Sequence, residues 1–139
     1  MPSLFSRIIA GEIPAQKIFE DERWICILDL FPVEPGHLLL IPRHECRFVA
    51  DLPAEDLVTL GMVVGRGTAL LKQALGCPAV AVLIRDGEEA GQEIPHVHVH
   101  LVPRTAESGK GFAPGSYGDT DEARDAAMAA MADRLRAAL

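Results

Sequence analysis

Three of the chain's five histidines, His96, His98 and His100, alternate with Val97, Val99 and Leu101 in the run HVHVHLVPR. In an extended strand successive side chains point to opposite faces, so the three imidazoles share one face and the aliphatic residues pack behind them. Neighbouring rings then sit about 6.5 Å apart along the backbone, twice the rise of a strand residue. Packing alone does not explain such a cluster, because each buried ring needs its own hydrogen-bond partners. Neutral imidazoles are nucleophiles and proton carriers near pH 7, with an unperturbed pKa of about 6.5. Crowding disfavours protonating all three, so at least one stays neutral. The chemistry this supports is attack by one ring on an acyl or phosphoryl group while a neighbour donates to the developing oxyanion. Two other readings stand beside it. An H-x-H pair on a strand can chelate zinc, although the third histidine lies far along the strand and the run holds no carboxylate. The face can also be an exposed, histidine-rich surface. No G-x-S-x-G elbow is present, so serine-based hydrolysis has no support.

These rings need a scaffold. Lys17 to Glu20 and Arg23 to Leu30 read as a hairpin turning at Asp21-Glu22, its second strand centred on WICIL. His37 to Ile41, closed by Pro42, reads as a third strand, Ala79 to Ile84 as a fourth, and Pro95 to Val102, with the histidines, as a fifth. Leu57, Leu60, Val64, Leu71 and Leu75 recur at helical spacing, which places a long helix from about Pro53 to Leu75 with Gly76 as its cap. Gly61, Gly65 and Gly67 each destabilise that helix by roughly 1 kcal/mol relative to Ala, unless they allow close approach to the sheet. A short helix from Leu4 to Ala10 stops at Gly11. An Ala-rich helix from Asp119 to Leu139, capped by Asp119 or Thr120, follows the loop-like TAESGKGFAPGSYGD. The element order predicts an α+β domain: a mostly antiparallel five-stranded meander with the long helix packed on one face and a C-terminal helix appended.

Composition narrows the function classes. The chain has 139 residues, 49% hydrophobic and 24% charged, which suits one globular domain. Its 13 Lys and Arg against 20 Asp and Glu give a net charge of −7, the wrong sign for a general nucleic-acid binder. No apolar run approaches the roughly 18 residues of a membrane span, and MPSLFSRIIAGEIP lacks the long apolar stretch of a signal peptide. Cys26, Cys46 and Cys77 are odd in number and in no C-x-x-C pattern, which fits a reducing compartment. A soluble cytoplasmic protein without nucleic-acid or membrane partners is expected.

The run GQEIPHVHVHLVPR resembles the histidine triad (HIT) signature. The resemblance continues through FSRIIAGEIPAQKIFEDE, ILDLFPVEPGHLLLIPRH and IRDGEEAGQ, in order, over residues 4 to 104. It points to the histidine triad nucleotide-binding branch, small nucleotide hydrolases and phosphoramidases. Residues 1–104 are then the histidine triad domain, and 105–139 a loop and helix extending the same domain.

The resemblance implies roles for single residues. His98 is the nucleophile that attacks the α-phosphorus and carries a transient nucleotidyl group, His100 donates to a phosphate oxygen, and His37 and His96 orient the cluster. Asp29 accepts from both ribose hydroxyls; read alone it is a turn residue. Phe5, Ile8, Ile13, Ile27 and Leu30 lie against the base; read alone they are core. Gly91 and Gln92 face the phosphate. Arg85 stands where many members have Asn, and Glu93 where well-described ones have Ser; either Arg85 meets phosphate oxygens and Glu93 the leaving group, or both turn to solvent. The implied activity is cleavage of a P–N or P–O bond of a purine nucleoside monophosphate derivative, with a dinucleoside polyphosphate hydrolase or a nucleotide-binding interaction module as alternatives. No cofactor is expected. Some bacterial relatives hold zinc with two N-terminal cysteines and two histidines; Ser3 and Ser6 stand at the cysteine positions here, so no structural zinc is expected although His44 and His96 remain. A homodimer is implied as well. The stretch after Arg104, with Ala127, Met128, Met131 and Leu135 at helical spacing, is expected to serve shape and partner contacts more than chemistry.

Overall fold

The fully apolar runs WICIL and LLLIP become two neighbouring interior strands of one sheet in a computed structural model that describes residues 1–139. The elements are α1 (Leu4–Ile9), β1 (Lys17–Glu20), β2 (Trp24–Leu28), β3 (Leu38–Pro42), α2 (Ala54–Leu75), β4 (Ala79–Ile84), β5 (Val99–Arg104) and α3 (Asp121–Arg136). Short 3-10 turns occupy Val49–Asp51 and Glu88–Ala90. Every strand pair is antiparallel, in the order β1-β2-β3-β5-β4. The meander expected from chain order therefore holds for β1 to β3 and for the β4–β5 pair, and breaks only between β3 and β4. α2 carries the chain past the place beside β3 to the sheet edge, and β5 returns to fill the gap. That return puts His100, the last of the histidine run, between two neighbours instead of at an edge.

Both sheet faces are covered, which is why β2 and β3 are buried along their whole length. On one face α2 and α3 close a core that includes Trp24, Cys26, Leu28, Leu38, Leu40, Leu71, Val99 and Leu101. On the other, Phe5 and Ile8 of α1 pack on Ile25, Ile27, Leu39 and Ile41. Burial of each such side chain contributes about 1.5–3 kcal/mol. Of the three mid-helix glycines only Gly67 has a packing reason, since a Cβ there would collide with Leu101; Gly61 and Gly65 face open space. Gly76 ends α2 in the left-handed region at φ 68° and donates to Lys72 O. α3, capped by Thr120, buries Met128, Ala132 and Leu135 in the main core, so the expected docking stripe docks on the chain's own sheet.

The strand ends differ from expectation where the site lies. β2 stops at Leu28, not Leu30, and β3 starts at Leu38, leaving Asp29 and His37 in the connection between them. β5 starts at Val99, not Pro95, because Pro95 has no N–H, the His96 amide turns back to Ile94 O, and the Val97 amide bonds Cys46 O. β5 also runs on through Pro103, which lies opposite Val80 of β4 but beyond the last pairing with β3 at Leu101, so its missing N–H breaks no bond to β3.

Candidate active site

Register builds the site. Ile27 pairs with Leu39, Leu39 with His100, and His100 with Leu83, so these four side chains form one row across the α1 face of the sheet. All four line one cavity of about 1150 Å³. Asp29 and His37 lie at the β2–β3 end of it, and Arg85, two residues beyond Leu83, lies on the β4 side.

The proton positions follow from the partners. The Val33 N–H donates to His37 Nδ1 at 3.0 Å, so neutral His37 carries its proton on Nε2. That proton points at His100 Nδ1, 3.0 Å away, which leaves the His100 proton on Nε2. His98 Nδ1 lies 2.8 Å from His96 O, which only accepts, so His98 has its N–H there and a free lone pair on Nε2. His96 Nε2 donates to Pro42 O at 2.7 Å, so its Nδ1 accepts from the Ser3 hydroxyl, also at 2.7 Å. The outcome is a lone pair on one ring and an N–H on the next, with the His98 and His100 centroids 4.9 Å apart.

Electrostatics keep the rings neutral. Burial lowers the pKa of His37, His96 and His98; the hydrogen bonds to Pro42 O and His96 O for His96 and His98, and the Asp29 carboxylate for His37, only partly offset this. Burial, then the neighbouring His98, His37 and Arg85, takes His100 down to about 3. Asp29 is held by the Phe31 N–H on Oδ1 at 2.8 Å, while Oδ2 lies 3.5 Å from His37 Nε2 and 4.0 Å from His100 Nδ1.

Those last three atoms lie close enough together to hold a metal ion. The tautomers oppose it: a metal on His37 Nε2 would displace a proton that the Val33 N–H on Nδ1 obliges that nitrogen to keep. The N-terminal zinc set of the resemblance does not fit either. Ser3 Oγ is committed to His96 and the Ser6 N–H, and Ser6 Oγ donates to Glu45 Oε1 at 2.6 Å. His96 has no nitrogen left to offer, and His44 is exposed. Hydrogen bonds from Ser6 Oγ and the Ser3 N–H hold the Glu45 carboxyl down to about 2, so it is an anion anchoring the start of α1.

The other expected residues fall in two groups. Phe5, Ile8, Ile13 and Leu30 line the cavity, with Leu30 42% exposed and Phe5 buried edge-on to His98. Arg85, Gly91 and Glu93 line it too. Arg85 donates to Ala90 O at 3.3 Å and lies across Gly91, whose φ of 95° and lack of Cβ make room for the guanidinium. His96 and Gln92 do not line it. The Gln92 amide is used by the Gly87 N–H and by Arg47 O, so it braces the loop before β5.

Two sets of residues were missed. In the sequence Ser3 stands out only as an absent thiolate, and Glu45 gives no signal because its partners lie about forty positions away in the chain. Phe112, Pro114, Gly115, Arg124, Asp125 and Met128 also wall the cavity, so the C-terminal stretch expected to serve shape does so at the site itself. Their loop-like and Ala-rich surroundings hold no motif that could have pointed there.

Comparison with known proteins places this geometry. The sequence model of the HIT domain matches residues 10–107. An uncharacterised HIT-like protein of Mycobacterium tuberculosis is 39% identical over 106 residues, 74% of this chain and 72% of its own length. An Arabidopsis thaliana relative named adenylylsulfatase HINT3 is 34% identical over 101 residues, 73% of this chain but only 51% of that protein. Among solved structures, a Hit-like protein of Bartonella henselae superposes with a TM-score of 0.83 at 27% identity, covering 99% of this chain and 96% of that one. A zinc-bound histidine triad protein of Mycobacterium smegmatis gives 0.79 at 31%, covering 97% and 91%. With its histidine run leading into an interior strand of a five-stranded sheet and a model match over most of its length, this chain belongs to the histidine triad (HIT) domain family.

Proposed function

We propose that the protein is a nucleotide hydrolase or phosphoramidase that cleaves a P–N or P–O bond at the α-phosphate of a purine nucleoside monophosphate derivative. The observation that carries this is the pair of opposed tautomers: His98 Nε2 bears a lone pair and His100 Nε2 a proton. The His98 lone pair attacks the α-phosphorus as the bond to the leaving group breaks, which forms a nucleotidyl-His98. His100 Nε2–H donates to a non-bridging oxygen as charge builds there. The leaving amine or oxyanion takes a proton from water, and a second water then cleaves the His98–phosphorus bond and restores the ring. His37 holds the His100 tautomer, the His96 carbonyl holds that of His98, and Asp29 Oδ2 accepts from the ribose hydroxyls. The adenylylsulfatase relative supports cleavage at a nucleotide's α-phosphate.

The cavity of about 1150 Å³ exceeds the roughly 300–1,000 Å³ usual for small-molecule sites. That favours a second reading, a dinucleoside polyphosphate substrate cut by the same rings. Incubating the protein with adenosine phosphoramidate, adenylyl sulfate and diadenosine polyphosphates and measuring release of AMP separates the two. No turnover of any of them would remove the hydrolase reading and leave a nucleotide-binding module.

The same reading includes a cytoplasmic homodimer. No helix is long and apolar enough to cross a membrane. Val58 and Met62 on α2, 75% and 74% exposed, and the apolar edge strand β4 support pairing of two copies. A sedimenting species of 15.0 kDa at micromolar concentration contradicts it.

A further inference from the structure

Part of the cavity wall comes from outside the family match. Phe112, Gly115, Arg124 and Met128 line the cavity, and all lie beyond residue 107, where the HIT match ends. Two anchors fix the end of the cavity they serve. The Gly115 N–H donates to Pro32 O at 2.8 Å, and a Cβ at Gly115 would stand only 2.8 Å from that oxygen, so a residue without a side chain is required. The Gly36 N–H donates to Tyr117 Oη at 2.9 Å. Pro32 and Gly36 both belong to the connection from Asp29 to His37. The extension is thus tied to the loop carrying the ribose-facing carboxylate, whereas Arg85 and Glu93 sit across the histidine strand.

Phe112 is presented to the cavity by a cation. The Arg104 guanidinium lies 5.1 Å from the Phe112 ring centroid and donates to Gly111 O. Arg104 itself is held 3.9 Å from Glu34 Oε1. Phe112 remains 38% exposed and Phe31, which lines the same cavity, 60% exposed. Open aromatic faces at one end of a cavity suit a flat, apolar-faced ligand with polar edges. At that rim Arg124 is paired with Asp125 at 3.2 Å, which offers a donor and an acceptor side by side.

We propose that the C-terminal extension builds the outer wall of the nucleobase subsite, with Phe112 stacking on the base, so that base affinity depends in part on residues outside the HIT match. The inference rests on the nucleotide reading above. It is tested by calorimetric titration of the full chain with AMP and with ribose 5-phosphate, which keeps the sugar and phosphate and lacks the base. Phe112→Ala and Phe112→Leu should each weaken AMP binding by about fivefold or more, as loss of a stacking ring does, and Phe112→Trp should preserve it. Binding of ribose 5-phosphate should stay within about twofold of wild type for all three. The leucine variant keeps apolar bulk on Arg104, so folding is guarded if the alanine variant melts early. Unchanged AMP affinity, or equal weakening of both ligands, overturns the inference and leaves the nucleotide reading standing. Wild-type protein that binds neither ligand removes the nucleotide reading itself, and the inference with it.

Discussion

Acidification from pH 7.5 to pH 5 should destabilise the folded protein through the very burial that keeps its site histidines neutral. Unfolded, an imidazole titrates near 6.5; folded, His100 is held down to about 3 by burial and by its neighbours His98, His37 and Arg85. Between those values the unfolded chain binds a proton that the folded chain refuses, so stability is full above 6.5 and falls as pH drops toward 3. At pH 5 the loss from His100 alone is about 1.5 pH units at 1.36 kcal/mol each, roughly 2 kcal/mol. His37, His96 and His98, also lowered by burial, act in the same direction. Glu45 does not interfere, because its lowered pKa matters only below its ordinary value near 4.5. Urea unfolding can be followed by the fluorescence of Trp24, the single tryptophan, which is 1% exposed. Wild-type unfolding free energy should fall by at least about 2 kcal/mol between the two pH values, and His100→Gln should remove about that much of the pH dependence. A wild-type free energy that is flat or rises on acidification would refute the burial argument.

Three further outcomes are expected. Ser3→Ala removes both the cap of α1 and the donor to buried His96 Nδ1, so unfolding free energy should drop by about 2–4 kcal/mol, with Ser3→Thr largely restoring it; a drop below about 0.5 kcal/mol would show that water replaces the hydroxyl. Arg85→Ala should raise KM most for substrates whose leaving group carries extra phosphates, since a guanidinium on the β4 side of the cavity would meet those oxygens; equal effects on all substrates would make Arg85 only a brace for the 87–91 loop. Glu93→Gln should slow release of amine leaving groups more than of alcohols; parallel slowing, or none, would place Glu93 at the surface alone.

What the sequence disclosed and what it hid divide along physical lines. The continuous apolar runs of β2 and β3 are local patterns legible as strands, and the alternation in HVHVH marks the histidine cluster, although only its last two residues lie in β5. Strand ends were less so, because they depend on which amide finds which carbonyl: Val97 bonds Cys46 O, a partner no local pattern announces. The spacing also treated three histidines as equals. The structure distinguishes them by what each ring touches, with His96 saturated by Ser3 and Pro42 and His98 left with one open nitrogen. The strand order was hidden for a similar reason, since nothing in α2 states that β4 passes to the edge and leaves room for β5. The C-terminal wall was the least visible, as its contacts with Pro32 and Gly36 span about eighty residues and rest on a glycine without a Cβ and one phenol oxygen.

The most direct measurement is the mass of the protein caught during turnover. Wild-type chain mixed with adenosine phosphoramidate and quenched under conditions that preserve phosphorus–nitrogen bonds should carry one added adenylyl group, mapped to His98 by peptide fragmentation. His98→Ala should show no adduct and lose several orders of magnitude in turnover while still binding AMP, as expected when a transition-state role is removed. An adduct on His96 or His100, or a His98→Ala variant retaining a tenth of the wild-type rate, would contradict the assignment of His98 as nucleophile.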